Sequence, residues 1–339
     1  MKTFPATLLL DISKDYAHYR TQRENSWYGN VDGDSWGALP FAARSLYRGQ
    51  NAHHFPLLPS IARGLQSSNI DAIWRSPIAD QALIVLRLAQ SWWFSRELTH
   101  HPVAQHAADL KVDLDPIALA QHYGLSTGYL DLTDDFSVGA FFATCRKTAD
   151  GWEPVSSGIG VIYQVNLNAG FDSPFAQYAP LGPQPLPRPT EQCAWVTELP
   201  LCHSFDDWPN VSILRFEHDK RVGEHFLKMY DGGCQLFPVD PLADVASEIL
   251  SCRAIPSDLI DKALNSFADD PYGLRRSDFP LLQAEIANMA ILIHDRRLLK
   301  QEQVDSLLAD PVWRNKMLSD VRLRWKAVRR VPIVDGLQG

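Results

Sequence analysis

Hydrophobic and polar positions repeat with two different periods along this chain, and the period separates the predicted strands from the predicted helices. Short apolar or alternating segments predict strands at 44–49, 158–167, 193–198 and 211–216. Apolar positions at helical spacing predict helices at 71–98, 219–230, 241–251, 256–267, 279–294, 301–308 and 311–328. The pattern predicts an α+β fold with a mixed sheet and many helices. We divide the chain into an N-terminal segment (1–41), an α/β domain (42–216) and a helical C-terminal extension (217–339).

The segment 71–98 has the strongest helical pattern of the chain. Its apolar residues cover more than one face, which predicts a position at the centre of the fold. Pro77 suits the first turn of its main helix, because proline lacks an N–H that this turn would leave unpaired. Three histidines follow, His100, His101 and His106, but their spacing matches no known metal cage, and we expect no metal site.

Two predicted helices flank a polar hinge between residues 117 and 144. The first helix ends at Gly124, which suits the left-handed position that closes a helix because it has no Cβ. The second helix is apolar, and Thr133 or Asp134 is its predicted N-cap. The hinge contains an imidazole, a phenol, hydroxyls and a carboxylate: His122, Tyr123, Ser126, Thr127, Asp131 and Thr133. Such a stretch predicts either a satisfied buried network or a site.

A proline-rich segment at 171–189 precedes the predicted strand at 193–198. Its six prolines make it stiff, and it is too long to be a simple connector. Long loops of this kind often cover a site. The acid and the amide that follow it, Glu191 and Gln192, are therefore candidate site residues.

Composition and charge narrow the function without identifying it. The 339 residues are 45% hydrophobic and 21% charged, which is usual for a globular protein. A net charge of −8 does not indicate nucleic-acid binding by the whole chain. We interpret a basic segment near the end of the sequence as an amphipathic packing helix, although its charges could contact phosphate: Arg322, Arg324, Lys326, Arg329 and Arg330.

Cysteine usage and hydropathy predict a cytoplasmic protein. Five cysteines in no dense pattern fit a reducing compartment better than a disulfide scaffold. The apolar run at 8–10 lies between Pro5 and Asp11 and is too short for a signal peptide. No stretch approaches the roughly 20 apolar residues of a membrane span, so we expect no membrane partner.

Three sequence blocks resemble those of the FRG domain family. The blocks are Tyr47-Arg48-Gly49-Gln50 with Leu57-Leu58-Pro59-Ser60-Ile61 and Arg63, then Gln121-His122-Tyr123-Gly124-Leu125-Ser126-Thr127 with Leu130-Asp131-Leu132-Thr133, then Arg188-Pro189-Thr190-Glu191-Gln192. The resemblance covers residues 42–196 and implies an FRG-type α/β domain. The family usually has Pro-Thr-Arg-Leu-Leu-Asp-Trp-Thr in the second block. Here Ser126 replaces the proline, Gly128-Tyr129 the Arg-Leu pair and Leu132 the tryptophan.

The order of these blocks also resembles the Arg–Ser/Thr–Glu layout of ADP-ribosyltransferases. That resemblance implies NAD as the bound dinucleotide, an unidentified macromolecular acceptor, and a toxin or phage-defence role. Residues implied in NAD binding are Arg48, Gly49, His122, Tyr123, Ser126, Thr127 and Thr133. The carboxylate that steadies the oxocarbenium-like ribose would be Asp131 or Glu191, or its place would be held by Gln192. Gln192 matches the family element best but carries no charge, and Glu191 would face the opposite way in a strand.

Other interpretations of the same residues stay open. The pocket could bind or sense a nucleotide without turnover, because the planar fork of Arg48 suits phosphate in either case. Arg48 and Asp131 could instead form a buried ion pair that ties two motifs together. Ser126 lies in a Gly-x-Ser-x-Gly run, but a nucleophile elbow needs a strand before it and a helix after it. A ligand site of either kind requires that Arg48 faces the hinge across a ligand-sized hollow.

Overall fold

The computed structural model describes residues 2–20, 27–30, 36–39, 45–66, 72–167, 178–181, 186–199, 201, 204–268 and 273–315. The strands are β1 (Thr3–Pro5), β2 (Trp27–Asn30), β3 (Trp36–Leu39), β4 (Ser45–Gln50), β5 (Tyr129–Thr133), β6 (Cys145–Thr148), β7 (Gly151–Pro154), β8 (Ile159–Asn166), β9 (Tyr178–Pro180), β10 (Ala194–Glu198), β11 (Val211–Glu217), β12 (Ala254–Pro256) and β13 (Ile291–Ile293). The helices are α1 (Thr7–Arg20), α2 (Ile78–Leu98), α3 (Pro102–Asp109), α4 (Pro116–His122), α5 (Phe136–Thr144), α6 (Pro187–Glu191), α7 (Lys220–Met229), α8 (Pro241–Ser251), α9 (Ser257–Ala268), α10 (Phe279–Met289) and α11 (Gln301–Ala309).

Seven of these strands form one mixed sheet, in the order β1-β11-β8-β4-β5-β10-β9. β1 runs parallel to β11, and the other neighbouring pairs are antiparallel. Alternation along β8 places Val161 and Tyr163 on one face of the sheet and Ile162 on the other, because successive strand side chains point to opposite sides. The predicted α+β class with a mixed sheet is confirmed.

One face of the sheet is covered by α1, α5 and α7. Tyr47 and Ile162 of the sheet share a buried core with Phe141 of α5. The α5 backbone comes very close to β4 at Gly49, where an added Cβ would lie 1.8 Å from the main-chain oxygen of Gly139. Glycine is therefore needed at this position for packing, because any side chain would collide with the helix backbone.

The opposite face of the sheet is covered by the loop at 51–63 and the 3₁₀ turn Phe205–Asp207. Leu57 and Phe205 are buried there against Leu46 and Tyr163 of the sheet. The Phe205 N–H donates to the Leu57 oxygen at 3.0 Å, which joins the two loops. These loops form a lid of irregular backbone over β4, β8 and β11.

A second core is built around α2. This helix packs against α4, α8, α9 and α10, and its Val85, Trp93 and Phe94 are completely buried. The prediction that segment 71–98 lies at the centre of the fold is confirmed. The helix itself begins after its N-cap, Pro77, and the 3₁₀ turn Ile73–Arg75 precedes it. Because this core joins helices from both sides of residue 216, the proposed domain boundaries stay a prediction.

Two local predictions about helix ends are wrong. Asp135 caps α5, because its carboxylate accepts the Ser137 N–H at 2.7 Å, whereas Thr133 Oγ1 accepts the Asp135 N–H one step earlier. The helix predicted at 279–294 ends at Met289. The residues after it form β13, which pairs in parallel with β12, so long-range pairing overrides the local helical pattern.

The proline-rich segment contains regular structure in its described part, namely β9 and α6. Its remaining residues at 171–177 and 182–185 lie outside the described residues, as does the predicted basic helix beyond residue 315. Among the described cysteines, Cys145, Cys234 and Cys252 are free thiols. None of the helices described here combines the length and the apolar character that crossing a bilayer requires.

Candidate functional site

The Tyr47-Arg48-Gly49 signature sends its side chains to both faces of the sheet. Tyr47 points toward α5, where its ring meets Phe136 edge-on with 5.3 Å between centroids. Gly49 lies against the α5 backbone, so it contacts the helix. Arg48 points to the opposite face, because it lies between them in the strand. Tyr47 and Gly49 thus fix the strand on α5, and Arg48 is the residue of the signature that faces away from this helix.

Arg48 lies where β4 and β5 separate. The described residues of these two strands form a single pair, Tyr47 with Thr133. Beyond that pair, Arg48 Nη1 donates a 2.7 Å hydrogen bond to the main-chain oxygen of Asp131. Burial lowers the pKa of Arg48, while the Asp131 carboxylate and Tyr163 raise it. The direct ion pair considered from the sequence is therefore replaced by a bond to a main-chain carbonyl, and the carboxylate acts at longer range.

A second guanidinium, that of Arg63, belongs to the same corner. Arg63 is exposed as a whole residue, and its Nε donates to the Leu58 oxygen at 3.0 Å. Its pKa is lowered to about 10, first by partial burial of the guanidinium and then by repulsion from Arg48, while Asp131 opposes the shift. Two guanidinium groups and one carboxylate therefore lie within electrostatic range of one another. This balance attracts anions.

Asp131 is the central acceptor of a network between α4, β5 and the end of α6. Gln121 Nε2 donates to Asp131 Oδ2 at 3.2 Å. His122 Nε2 lies 3.3 Å from Asp131 Oδ1, which is ion-pair distance, although the angle is too poor for a good hydrogen bond. His122 Nδ1 meets Gln192 Oε1 at 3.1 Å, and Gln192 Nε2 donates to the Leu236 oxygen at 3.0 Å. The Asp131 side chain is 33% exposed and that of His122 is 3% exposed, so the Asp131 side chain is the accessible end of the network, although its Oδ1 is buried.

The network fixes where the proton on His122 lies. Because the Gln192 amide nitrogen is used by Leu236, its oxygen must face His122 Nδ1, which therefore carries a hydrogen. His122 Nε2 faces Asp131 Oδ1 at 3.3 Å. An imidazole beside a partly exposed carboxylate is an arrangement that general acid–base chemistry uses.

The hydroxyl hinge is held from within. Thr127 Oγ1 donates to Gln121 Oε1 at 2.7 Å and accepts the Tyr129 N–H at 3.0 Å, and Thr127 is completely buried. Ser60 Oγ also donates to Gln121 Oε1 at 2.7 Å, which ties the loop after β4 to the hinge. Ser126 is half-buried, and its main-chain oxygen accepts from Ser91 Oγ at 3.0 Å. Thr127 is thus a positioning residue for Gln121.

The third motif position is structural in part. Gln192 is buried, and both atoms of its amide are engaged as described. Its main-chain oxygen accepts from Thr133 Oγ1 at 2.8 Å, which fixes α6 to β5. Glu191 is half-buried and is the last residue of α6. The prediction that Glu191 and Gln192 face opposite ways in a strand was wrong, because these residues lie at the end of helix α6 and not in a strand.

Tyr123 belongs to a different network. Its hydroxyl donates a very short hydrogen bond to Asp240, the N-cap of α8. Arg188 stacks over the Tyr123 ring at 4.6 Å and donates to the His122 oxygen at 3.2 Å. His101 Nε2 lies 3.8 Å from Asp240 Oδ1, and burial lowers the pKa of this histidine. The side chains of Asp240 and His101 are 2% and 1% exposed, so this network is closed to solvent.

The sequence predicted that Arg48, His122, Asp131 and Gln192 belong to one site. It did not indicate several of the residues that they contact. Arg63 and Gln121 lie within the sequence blocks that resemble the FRG domain family, so the other polar residues of those blocks could have been taken as candidates. Asp240 lies 117 residues from Tyr123, and no local pattern pointed to it. Among the described residues, no group of three or more His, Cys, Asp or Glu side chains is arranged to hold a metal ion.

The family comparison agrees with this geometry. The model of the FRG domain matches residues 43–151, which include β4, Arg63, α4 and β5. Arg188 and Gln192 lie beyond the matched region. No curated protein and no solved structure matches the chain at a significant level. The match at residues 43–151, which contain the Tyr-Arg-Gly strand and Asp131, supports the resemblance to the FRG domain family.

Proposed function

We propose that the corner between Arg48, Arg63 and Asp131 binds the phosphate of a nucleotide, with NAD as the leading ligand, and that Asp131 promotes cleavage of its N-glycosidic bond. One observation carries the proposal: two guanidinium groups lie within electrostatic range of an accessible carboxylate where β4 and β5 separate. Guanidinium groups are suited to bidentate phosphate binding. The third member of the corner, Asp131, has the negative charge that cleavage of the N-glycosidic bond requires.

The chemistry depends on a carboxylate near the ribose. When the bond between nicotinamide and ribose breaks, its electron pair leaves with nicotinamide and positive charge develops on the ribose. A carboxylate at that place stabilises the transition state. Water or an acceptor side chain then forms the new bond and loses a proton, for which the His122–Asp131 pair is placed. Asp131 fits this role better than Gln192, which is neutral and buried.

The test is release of nicotinamide from NAD by the purified full chain, followed by liquid chromatography. We expect Asp131→Asn to lower the rate by about 10²–10³-fold, which is the usual loss when one electrostatic stabiliser is removed. Asparagine keeps an oxygen for Gln121 and removes the charge. Asp150→Asn, an exposed change on the β6–β7 turn, is the matched control and should leave the rate unchanged. Equal rates for wild type and Asp131→Asn would contradict the catalytic role.

A second candidate function is nucleotide binding without turnover, as in a sensor. The observation that favours it is Gln192, which places an amide where the ADP-ribosyltransferase order has an acid. In that case NAD would bind and remain intact, and Asp131→Asn would change affinity alone. The toxin or defence role implied by the resemblance depends on turnover, because it would act through NAD consumption or modification of an acceptor.

A further inference from the structure

A second cationic group lies on the same sheet face as Arg48. The strand register aligns Gln50 of β4 with Val161 of β8 and Arg215 of β11 in one row. The adjacent row contains Arg48 and Tyr163. Residues that face each other in register point to the same side of a sheet, so Arg48, Gln50 and Arg215 share this face. From strand spacing and rise per residue, the Cα atoms of Arg48 and Arg215 lie about 12 Å apart, which two arginine side chains can bridge.

The phenol of Tyr163 lies within electrostatic range of both guanidinium groups. Burial and Asp206 raise the pKa of Tyr163, while both Arg48 and Arg215 act to lower it. The phenol oxygen donates to Asp206 Oδ1 at 3.0 Å, so its hydrogen is already used.

The nearby carboxylate of Asp206 is already used. It accepts from the Leu57 N–H at 2.6 Å and from Ser204 Oγ at 2.7 Å, in addition to the phenol. Arg215 instead donates to His53 Nδ1, and His53 Nε2 lies 3.7 Å from Asp206 Oδ1. Among the described residues, no carboxylate lies at ion-pair distance from Arg215.

Unpartnered polar atoms concentrate at this place. The buried atoms without a hydrogen-bond partner include Arg48 Nε, Gln50 Oε1, His53 Nε2 and Arg215 Nε. All four residues are half-buried, so the side chains reach the surface while these atoms are shielded. Buried polar groups are normally paired, and four exceptions on one face require an explanation. The two arginine Nε atoms are donors, which suit phosphate oxygens, whereas His53 Nε2 lies 3.7 Å from Asp206 Oδ1. Gln50 Oε1 is an acceptor, which suits a ligand hydroxyl such as that of ribose.

We propose that Arg215, with His53 and Gln50, forms a second phosphate subsite beside Arg48 and Arg63, so that the preferred ligand carries two linked phosphates, as a nucleoside diphosphate or dinucleotide does. The inference rests on the proposed function for the first subsite and goes beyond it by assigning the residues of a second phosphate subsite. A monophosphate would occupy one subsite, whereas a diphosphate would bridge both and gain from their proximity.

The experiment compares phosphate and pyrophosphate binding to the full chain by calorimetry at fixed ionic strength. We expect wild type to bind pyrophosphate at least 10-fold more tightly than phosphate. Arg215→Met should lose that preference and keep its phosphate affinity within about twofold, since the Arg48 subsite remains. Arg146→Met, which removes an exposed arginine from the β6–β7 hairpin, is the matched control and should behave as wild type. Arg215→Lys, which keeps the charge and loses the fork, should reduce the preference partly and replaces the methionine variant if that variant does not fold.

The outcomes separate this subsite from the proposed reaction. A wild type without preference for pyrophosphate, or a folded Arg215→Met chain that keeps the preference, overturns the second subsite even if nicotinamide is released from NAD. A preference that Arg215→Met abolishes supports the subsite. That result would stand even if no nicotinamide were released, in which case only the glycosidic chemistry would be contradicted.

Discussion

Two polar networks meet at the peptide bond between His122 and Tyr123, and they differ in access to solvent. On the His122 side the Asp131 side chain is 33% exposed and its carboxylate has two arginines within electrostatic range. On the Tyr123 side the carboxylate of Asp240 is 2% exposed and joins α4 to α8. Both networks contain an acid, a histidine and an arginine. Residue types alone therefore do not distinguish a site from a structural network, whereas exposure of the carboxylate does.

The difference teaches how one motif serves two purposes. The end of α4 presents consecutive side chains about 100° apart, so His122 turns toward the sheet and Tyr123 toward the helical core. Arg188 contacts both residues, through the His122 oxygen and the Tyr123 ring. The closed network, formed around Tyr123 and Asp240, holds the end of α4 in place. The open network, formed around His122 and Asp131, depends on that fixed position to expose the Asp131 side chain.

The largest effect is expected where the open network is supported by packing. Gly49→Ala would place a Cβ 1.8 Å from the Gly139 oxygen, so β4 or α5 must move. We expect the free energy of unfolding to fall by about 3 kcal/mol or more, measured by denaturant titration. Gly128→Ala has nothing within 4 Å of the new Cβ and is the control. A Gly49→Ala chain as stable as wild type that has lost its ligand would show that Gly49 contacts the ligand instead.

Removing the acid of the closed network is expected to have the next largest effect. Asp240→Ala leaves the Tyr123 hydroxyl buried without an acceptor and removes the cap of α8. We expect a loss of about 2–4 kcal/mol in the free energy of unfolding. Asp310→Ala removes an exposed carboxylate that accepts the Val312 N–H in the same way, and the free energy of unfolding should fall by about 1 kcal/mol or less. Equal losses in the two variants would mean that the Tyr123 contact contributes nothing.

A substitution beside the open network is expected to weaken ligand binding without changing stability. Arg63→Met removes an exposed guanidinium whose one described hydrogen bond goes to the Leu58 oxygen. We expect nucleotide affinity to fall about 10-fold, as loss of a phosphate-binding charge usually costs, with little change in unfolding. Calorimetry in low and high salt checks this, because the difference from wild type should shrink as salt rises. An affinity equal to that of wild type at low salt would remove Arg63 from the site.

The smallest expected effect is a pH dependence of the closed network. Burial lowers the pKa of His101 below its ordinary 6.5, so the unfolded chain takes up this proton first as the pH falls. The contribution of His101 to stability is thus present above about pH 6.5 and is lost below it. His101→Asn keeps a side-chain acceptor for the α3 cap and should lessen the decline in stability between pH 7 and 5. The exposed His225→Asn is the control, and an identical decline in the two variants would contradict this account.

Much of the fold followed from local patterns, and much of the site did not. The all-round apolar character of residues 78–98 predicted the central position of α2, and Gly124 has the positive φ of 93° that its place at a helix end predicted. β13 was missed because residues 290–293 continue the helical pattern of α10, and its pairing with β12 is a long-range contact. The position of Arg215 on the same sheet face as Arg48 was not predicted for the same physical reason, since it depends on the register across three strands.

The most direct test of the central claim is the NAD affinity of two variants, one from each network, under conditions in which both are folded. Arg48→Gln keeps a donor for the Asp131 oxygen and removes the charge, and Tyr123→Phe removes the hydroxyl that Asp240 accepts. The account predicts at least a 10-fold loss of affinity for Arg48→Gln and a change within twofold for Tyr123→Phe. Unchanged affinity in Arg48→Gln, or a larger loss in a folded Tyr123→Phe chain, would contradict it.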